Sequence, residues 1–254
     1  MIEAQALQDP SAAESKQAGF REQSYGFLAW LFLETPDTPF LERMLGADVG
    51  SYVASLAAGG SSHPMVIAGL EEMRGWLAAR AHQPLEQLRQ ELAVQGTWLF
   101  KGIAPGYGPP PPYEAVYRRP GAGVDVETLL SIRRFYREAA ADLPPNSRER
   151  LDHLGMELDF MRFLCAEESR LWISSDAEEA IRYRRMQRRF FAEHLEAWVP
   201  EYCQKLLAEP CAPFFHGLAR VVSGFLAEDA ALLESWSGEE DGPGRADPAS
   251  IRGR

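Results

Sequence analysis

Cysteine is scarce in this chain: Cys165, Cys203 and Cys211 are the only three, and no two of them form a CxxC pair. Neither a zinc framework nor a disulfide scaffold is indicated, and a chain of 254 residues needs neither to hold its core together. Basic residues are outnumbered, 26 Lys and Arg against 37 Asp and Glu, for a formal charge of −11. That balance argues against a nucleic-acid or anionic-membrane binder and favours a positively charged partner. Long apolar runs are missing as well. The longest, Tyr25 to Leu33, is too short to span a bilayer and is bounded by Arg21, Glu22 and Glu34. The opening MIEAQALQDPSAAESKQ carries acids and no apolar stretch, which does not fit a secretory signal, so a reducing cytoplasm is the expected location.

The usual signatures of catalysis are lacking too. There is no GxSxG, no P-loop and no GxGxxG opening a helix, and His63, His82, His194 and His216 fall in no HxxxH or HxxE pattern. Asp152, His153 and Glu157 have the residue types of an acid–base set or half a metal site, but no further ligands form a motif with them. The chain is therefore expected not to be an enzyme, and to hold no cofactor or metal of its own.

What is present is helical periodicity. No segment sustains strand alternation and no solenoid repeat appears, so the expectation is an all-α fold, one helical domain of about ten helices over residues 11–236. A flexible start, residues 1–10, and a disordered Gly-, Pro- and charge-rich tail, residues 237–254, flank it. Helices are expected over 11–34, 39–45, 49–57, 63–81, 84–100 and 124–143, with a loop at 59–62. A further helix is capped by Ser174, Ser175 and Asp176 and kinked at Pro200, and a last one covers 211–236.

The stretch from Leu143 to Cys165 organises the rest. Pro144 and Pro145 stop the preceding helix, and Asn146 with Glu149 three residues later reads as an N-cap with its reciprocal acid. Leu151, Leu154, Leu158, Met161 and Cys165 then form one buried stripe. Asp152, His153, Glu157 and Asp159 lie beside it and are expected to rim a groove with an apolar floor, suited to a cationic, partly greasy ligand.

Periodicity stops between Gly102 and Gly123. Pro109 to Pro112 favour a stiff polyproline II segment that presents Tyr107, Tyr113 and Tyr117 from a fixed backbone. A passive linker is the plainer reading, and three tyrosines argue against it. Trp98 and Phe100, where the loop leaves its helix, read as core residues with a second role as pocket wall. The run Arg182, Arg184, Arg185, Arg188 and Arg189 reads as a solvated helix face paired with nearby acids.

These pieces resemble a known family. GIAPGYGPPPPYEAVY from Gly102 to Tyr117, LDHLGMELDFMRFL from Leu151 to Leu164 and FFAEHLEAW from Phe190 to Trp198 follow the order and rough spacing of the TorD/DmsD/NarJ family of redox-enzyme maturation chaperones. Ala115, where members commonly have Ser, and the richer proline run leave the subfamily open.

The resemblance implies a cytoplasmic, all-helical chaperone whose partner is an apo-molybdoenzyme catalytic subunit or its twin-arginine signal peptide. Such a chaperone assists insertion of the client's molybdopterin cofactor before export by the Tat pathway, as a monomer or a helix-swapped dimer. Carried over onto matching positions, it implies a signal-peptide groove formed by Tyr113, Glu114, Tyr117, Asp152, His153 and Glu157. Physical chemistry supports the same assignment: adjacent guanidinium groups followed by an apolar stretch need carboxylates beside a greasy surface, and tyrosine faces add cation–π contact. The competing reading is a helical scaffold that binds a folded partner through the proline-rich loop.

Overall fold

A computed structural model describes residues 10–34, 36–46, 63–102, 108–121, 125–143 and 149–236. Among them the chain is helical with no strand, as expected. The elements are α1 (Pro10–Leu33), α2 (Thr38–Leu45), α3 (Pro64–Ala78), α4 (Leu85–Phe100), α5 (Glu114–Arg118), α6 (Val126–Glu138), α7 (Leu154–Ile173), α8 (Ala177–Phe190), a π-helical turn (Phe191–Leu195), α9 (Glu196–Ala208) and α10 (Pro213–Ser235). The expected helix at 49–57, the loop at 59–62, Tyr107, Asn146 and the tail lie outside the described residues.

Local chemistry accounts for several starts. The Asp37, Asp125 and Asp176 carboxylates accept backbone N–H groups at the first turns of α2, α6 and α8, and Pro39 and Pro64 occupy positions where a missing N–H costs nothing. Helix α1 lies along α7 and α10 along α3, with α8 beside α7 and α9 beside α10. Tyr25, Phe160, Phe190, Trp198 and Tyr202 are sealed in the shared core together with Leu154, Leu158 and Met161 of the expected α7 stripe. Phe100 belongs to that core, its ring 5.5 Å from Phe32 and 5.6 Å from Phe215. Two glycines set the helix spacing. A Cβ on Gly217 would lie 2.5 Å from the Gly69 carbonyl oxygen, so α3 and α10 touch backbone to backbone, and one on Gly155 would meet Leu33 Cγ at 2.7 Å.

Four sequence expectations change. Helix α7 starts at Leu154, not Asn146, so Asp152 and His153 precede it; tertiary pairing with the loop, described below, takes the backbone that the capping pattern assigned to a helix. The loop contains a short helix, α5. The long helix after Asp176 is interrupted by a π turn before Pro200, where the Glu196 N–H reaches back five residues to the Phe191 carbonyl. The arginine run is not wholly a solvated face. Arg182 and Arg189 do pair with Glu179 and Glu138, but Arg184 is buried, donating to Glu168 at 2.7 Å and to Glu14, with its guanidinium 4.1 Å from the Trp236 ring.

Arg184 is part of an ionic network that closes the two ends of the domain. Arg21 donates from Nε at 2.5 Å and Nη2 at 2.9 Å to Asp229, and from Nη1 to Gln187; Tyr25 Oη donates to Asp229 at 2.6 Å; Gln187 Nε2 donates to Glu168 at 2.8 Å. Burial alone would disfavour charged Arg21, but the Asp229 carboxylate outweighs it and holds the guanidinium protonated.

The Gly69–Gly217 contact can be tested directly. Gly217→Ala is expected to lower unfolding free energy by about 1–3 kcal/mol, because backbone rather than a movable side chain stands in the way. Gly75→Ala, whose Cβ would meet nothing within 4 Å, should raise it by about 0.5–1 kcal/mol through helix propensity. Urea unfolding of both variants checks the two signs.

Candidate functional site

The proline-rich loop and the start of α7 meet in a short antiparallel pairing. The Glu114 N–H donates to the Asp152 carbonyl at 2.8 Å and the Leu154 N–H to the Pro112 carbonyl at 2.9 Å, with Tyr113 opposite His153. Leu154 thereby spends on the loop an amide that a helix N-terminus leaves without an intrahelical acceptor, and His153 Nδ1 accepts the next free one, Gly155 N–H, at 3.1 Å. Loop and helix form one unit, as the sequence led us to expect.

Every acid at this junction already has a partner. Arg150 grips Asp152 with Nε and Nη2, both at 2.9 Å, and lays its guanidinium 4.4 Å from the Tyr113 ring centre. Ala115 N–H also points at Asp152, at 3.4 Å. Lys101 donates to Glu149 at 2.8 Å, and Tyr113 Oη donates to the same carboxylate. Burial alone would raise the Glu149 pKa; these donors outweigh it and hold the carboxyl below its ordinary range. Arg118 donates to Glu114 at 2.7 Å, and His194 Nδ1 lies 2.8 Å from the other Glu114 oxygen. Trp198 Nε1 donates to Glu157 Oε2 at 3.1 Å.

Glu157 is the exception in charge. Its Oε1 meets no N–H donor. Complete burial, then the adjacent Glu114 charge, push its pKa well above the carboxylate range. Burial therefore favours the protonated form of Glu157, whose carboxyl proton Glu114 can accept. His153 is neutral as well: burial, with help from Lys101 and Arg150, outweighs the Glu149 charge and lowers its pKa from 6.5 to about 4.

Tyr117 donates to the Pro110 carbonyl at 2.7 Å and packs its ring 5.2 Å from Trp198 and 5.9 Å from Tyr202, with Lys205 Nζ 4.9 Å from its face. The loop is thus pinned to α9 as well as to α7.

The six candidate residues come together, but not as the rim of an open groove. Glu114, Asp152, His153 and Glu157 are at most 2 % exposed, because each is enclosed by the partners just described. Asp159, also expected on the rim, stands apart and pairs with Arg162 at 2.6 Å. What faces solvent is the layer of cations over the acids: Arg150, Arg118 and Lys101 have 34, 44 and 59 % of their side-chain surface exposed.

Sequence reading overlooked Arg150, Arg118, His194 and Trp198. Arg118 lay in plain sight four residues after Glu114 on a helical spacing; His194 is 80 residues away, and no local pattern reveals it. A cleft of about 800 Å³ lies elsewhere, between the start of α1 and the end of α10, floored by Phe20, Phe225 and Leu232 and by the Arg21–Asp229 pair. None of its lining residues belongs to the junction. Among the described residues no group of three His, Cys, Asp or Glu side chains could hold a metal ion, and no helix is long and apolar enough to cross a membrane.

The profile of the nitrate reductase delta subunit family matches residues 66–204, a span that takes in the loop, α7 and most of α9. The chain belongs to that family. It is 38 % identical over 101 residues to the selenate reductase assembly chaperone protein of Thauera selenatis, covering 40 % of this chain and 51 % of that one. It is 32 % identical over 126 residues to the perchlorate reductase assembly chaperone protein of Dechloromonas aromatica, covering 48 % and 52 %. A longer, weaker match joins it to the chaperone protein TorD of Vibrio cholerae, 22 % over 214 residues, 84 % of this chain and 92 % of that one. The chain spans about half the length of the first two of these relatives. The family is the one that the loop, DHLGMEL and HLEAW motifs indicated, and the relatives are named as chaperones rather than enzymes.

His153 gives a pH signature. Its folded pKa is depressed, so the native state resists a proton that the unfolded chain accepts; the His153 contribution to stability is full above pH 6.5 and falls by up to about 3 kcal/mol as pH drops toward 4. His153→Asn keeps a side-chain oxygen for Gly155 N–H and should lose that dependence while remaining folded. Glu157→Gln should be well tolerated, since an amide replaces a neutral carboxyl. Because the Glu157 pKa is raised, the wild type loses stability as pH climbs from the ordinary carboxylate value toward the raised one, and the Gln variant should not. Urea midpoints measured from pH 4.5 to 8 for the three proteins test both statements.

Proposed function

We propose that the chain is a cytoplasmic assembly chaperone for a molybdenum-containing oxidoreductase. In this reading it captures an arginine-bearing segment of the apo catalytic subunit, the twin-arginine signal peptide above all. It keeps that segment from export by the Tat pathway until the molybdopterin cofactor has been inserted. Membership in the nitrate reductase delta subunit family and the names of the reductase assembly chaperones it resembles support the reading. The observation that carries it is the junction itself, where carboxylates sit under guanidinium groups beside tyrosine rings at the surface end of an apolar core.

The residues divide the work. Asp152 and Tyr113 offer a planar fork and an aromatic face to a guanidinium. Glu114 and the loop's Tyr117 hold the second wall in place through His194, Arg118 and Trp198. Neutral Glu157 and neutral His153 position rather than attract, the first through Trp198 and Glu114, the second by capping α7. No bond is made or broken; capture is reversible.

The scaffold alternative is weaker because the proline run is itself embedded. Pro109 and Pro112 are buried, the Pro110 carbonyl is taken by Tyr117, and Pro111 packs against Gly102. Little of it is left for a partner to grip.

Calorimetric titration with a peptide carrying adjacent arginines and an apolar run tests the proposal. Asp152→Asn should weaken binding by about tenfold or more and flatten its salt dependence, since a charge-assisted hydrogen bond contributes about 1.5–3 kcal/mol. Glu157→Gln should bind within about twofold of wild type, as expected for loss of a neutral group. Equal affinity for wild type and Asp152→Asn, or for peptides with lysine in place of arginine, would sink the assignment.

A further inference from the structure

Resting on the reading above, we infer that Arg150 is a built-in stand-in for the client's arginine, and that binding at this site is an exchange of one guanidinium for another. Asp152 precedes α7, and its side chain is sealed to 1 % exposure, yet the group that seals it is a third exposed and reaches it from the surface. The grip is the one expected for a bound arginine ligand: two parallel hydrogen bonds at 2.9 Å and the plane of the guanidinium 4.4 Å from an aromatic ring. That ring is itself fixed, Tyr113 by its hydroxyl on Glu149 and by the edge of His153 at 5.0 Å. Arg150 is held to the fold through its backbone carbonyl, which accepts the His153 N–H at 3.0 Å. Its side chain can therefore swing away without disturbing the loop–helix pairing. Asp152 also receives a backbone N–H, from Ala115 at 3.4 Å, so one donor to the acceptor comes from the loop and not from Arg150.

Occupancy by Arg150 lowers the affinity for any outside guanidinium in proportion to the fraction of molecules with the slot empty. Emptying the slot permanently should therefore tighten binding, the opposite of what losing a structural ion pair or a peptide contact would do.

The test uses the full chain with Arg150→Ala and Arg150→Gln, whichever folds deciding the result. N-Ethylguanidinium is the first probe. It should raise the melting temperature of the variants by about 3 °C or more at concentrations that leave wild type unmoved. Ethylammonium should do nothing, and Asp152→Asn added to either variant should abolish the effect. The arginine-bearing peptide should bind the variants about tenfold more tightly than wild type. Equal thermal shifts in wild type and variants, or rescue that survives Asp152→Asn, would overturn the inference. So would peptide binding that weakens in a folded variant. Rescue by ethylguanidinium with no peptide binding to any of the proteins would keep the site and remove the peptide as its ligand, a failure of the proposed function and not of the slot.

Discussion

Burying carboxylates next to one another is the constraint on which the rest of this structure depends. Glu114, Asp152 and Glu157 lie out of water at one junction, and an isolated ionised carboxylate there would cost several kcal/mol. The chain meets that cost in two different ways. Asp152 and Glu114 are paired with Arg150, Arg118 and His194, whereas burial shifts Glu157 toward its protonated form. Each solution fixes a piece of architecture. Arg118 must come from the helix that Glu114 begins, His194 must be turned inward, and Glu157 must have Trp198 in reach. The loop can lie on α7 only when all of these are satisfied together.

The π turn follows from the same demand. An extra residue per turn between Phe191 and Leu195 changes the facing of what comes after it, and it lies where His194 meets Glu114 while Trp198, four residues on, meets Glu157. The second network, in which Arg21 reaches Asp229 across 208 residues of sequence, performs the complementary task of fastening the first helix to the last. Its charges are turned inward and fully used, and it lies beneath the cleft between those helices, whereas the junction displays its cations to solvent.

The fold was largely legible because helical periodicity is local. The α7 stripe, the cap at Asp176 and the limits of α1, α4 and α10 all rest on residues within a turn or two of one another. The start of α7 was misjudged for the same reason: Asn146 and Glu149 look like a capping pair to any local reading, but Glu149 is engaged by Lys101 and Tyr113, and the backbone at Asp152 and His153 is claimed by a loop forty residues earlier. Which residues gather at the site was also legible, through the loop and helix motifs. Their burial was not. Amphipathic spacing says which face of a helix an acid occupies, but not whether an arginine from the preceding turn covers it, and His194 shares no pattern with Glu114 that a sequence could show.

That covering layer bears on how the proposed receptor for arginine can exist at all. A slot built from a buried carboxylate is costly to leave empty, since the uncompensated charge destabilises the fold or draws a proton. Protonation would abolish the attraction for a cation. The remaining solution is an occupant of the right chemistry carried by the protein itself, and Arg150 on Asp152 and Tyr113 has that form. In the proposed exchange the carboxylate is satisfied on both sides of the equilibrium, so the departing guanidinium offsets part of what the arriving one gains. What differs between the occupants, a second arginine and an apolar stretch following it, would add to the remainder. In that reading, selectivity for such a segment and ready release of it come from the same offset, which a permanently open acidic groove could not provide.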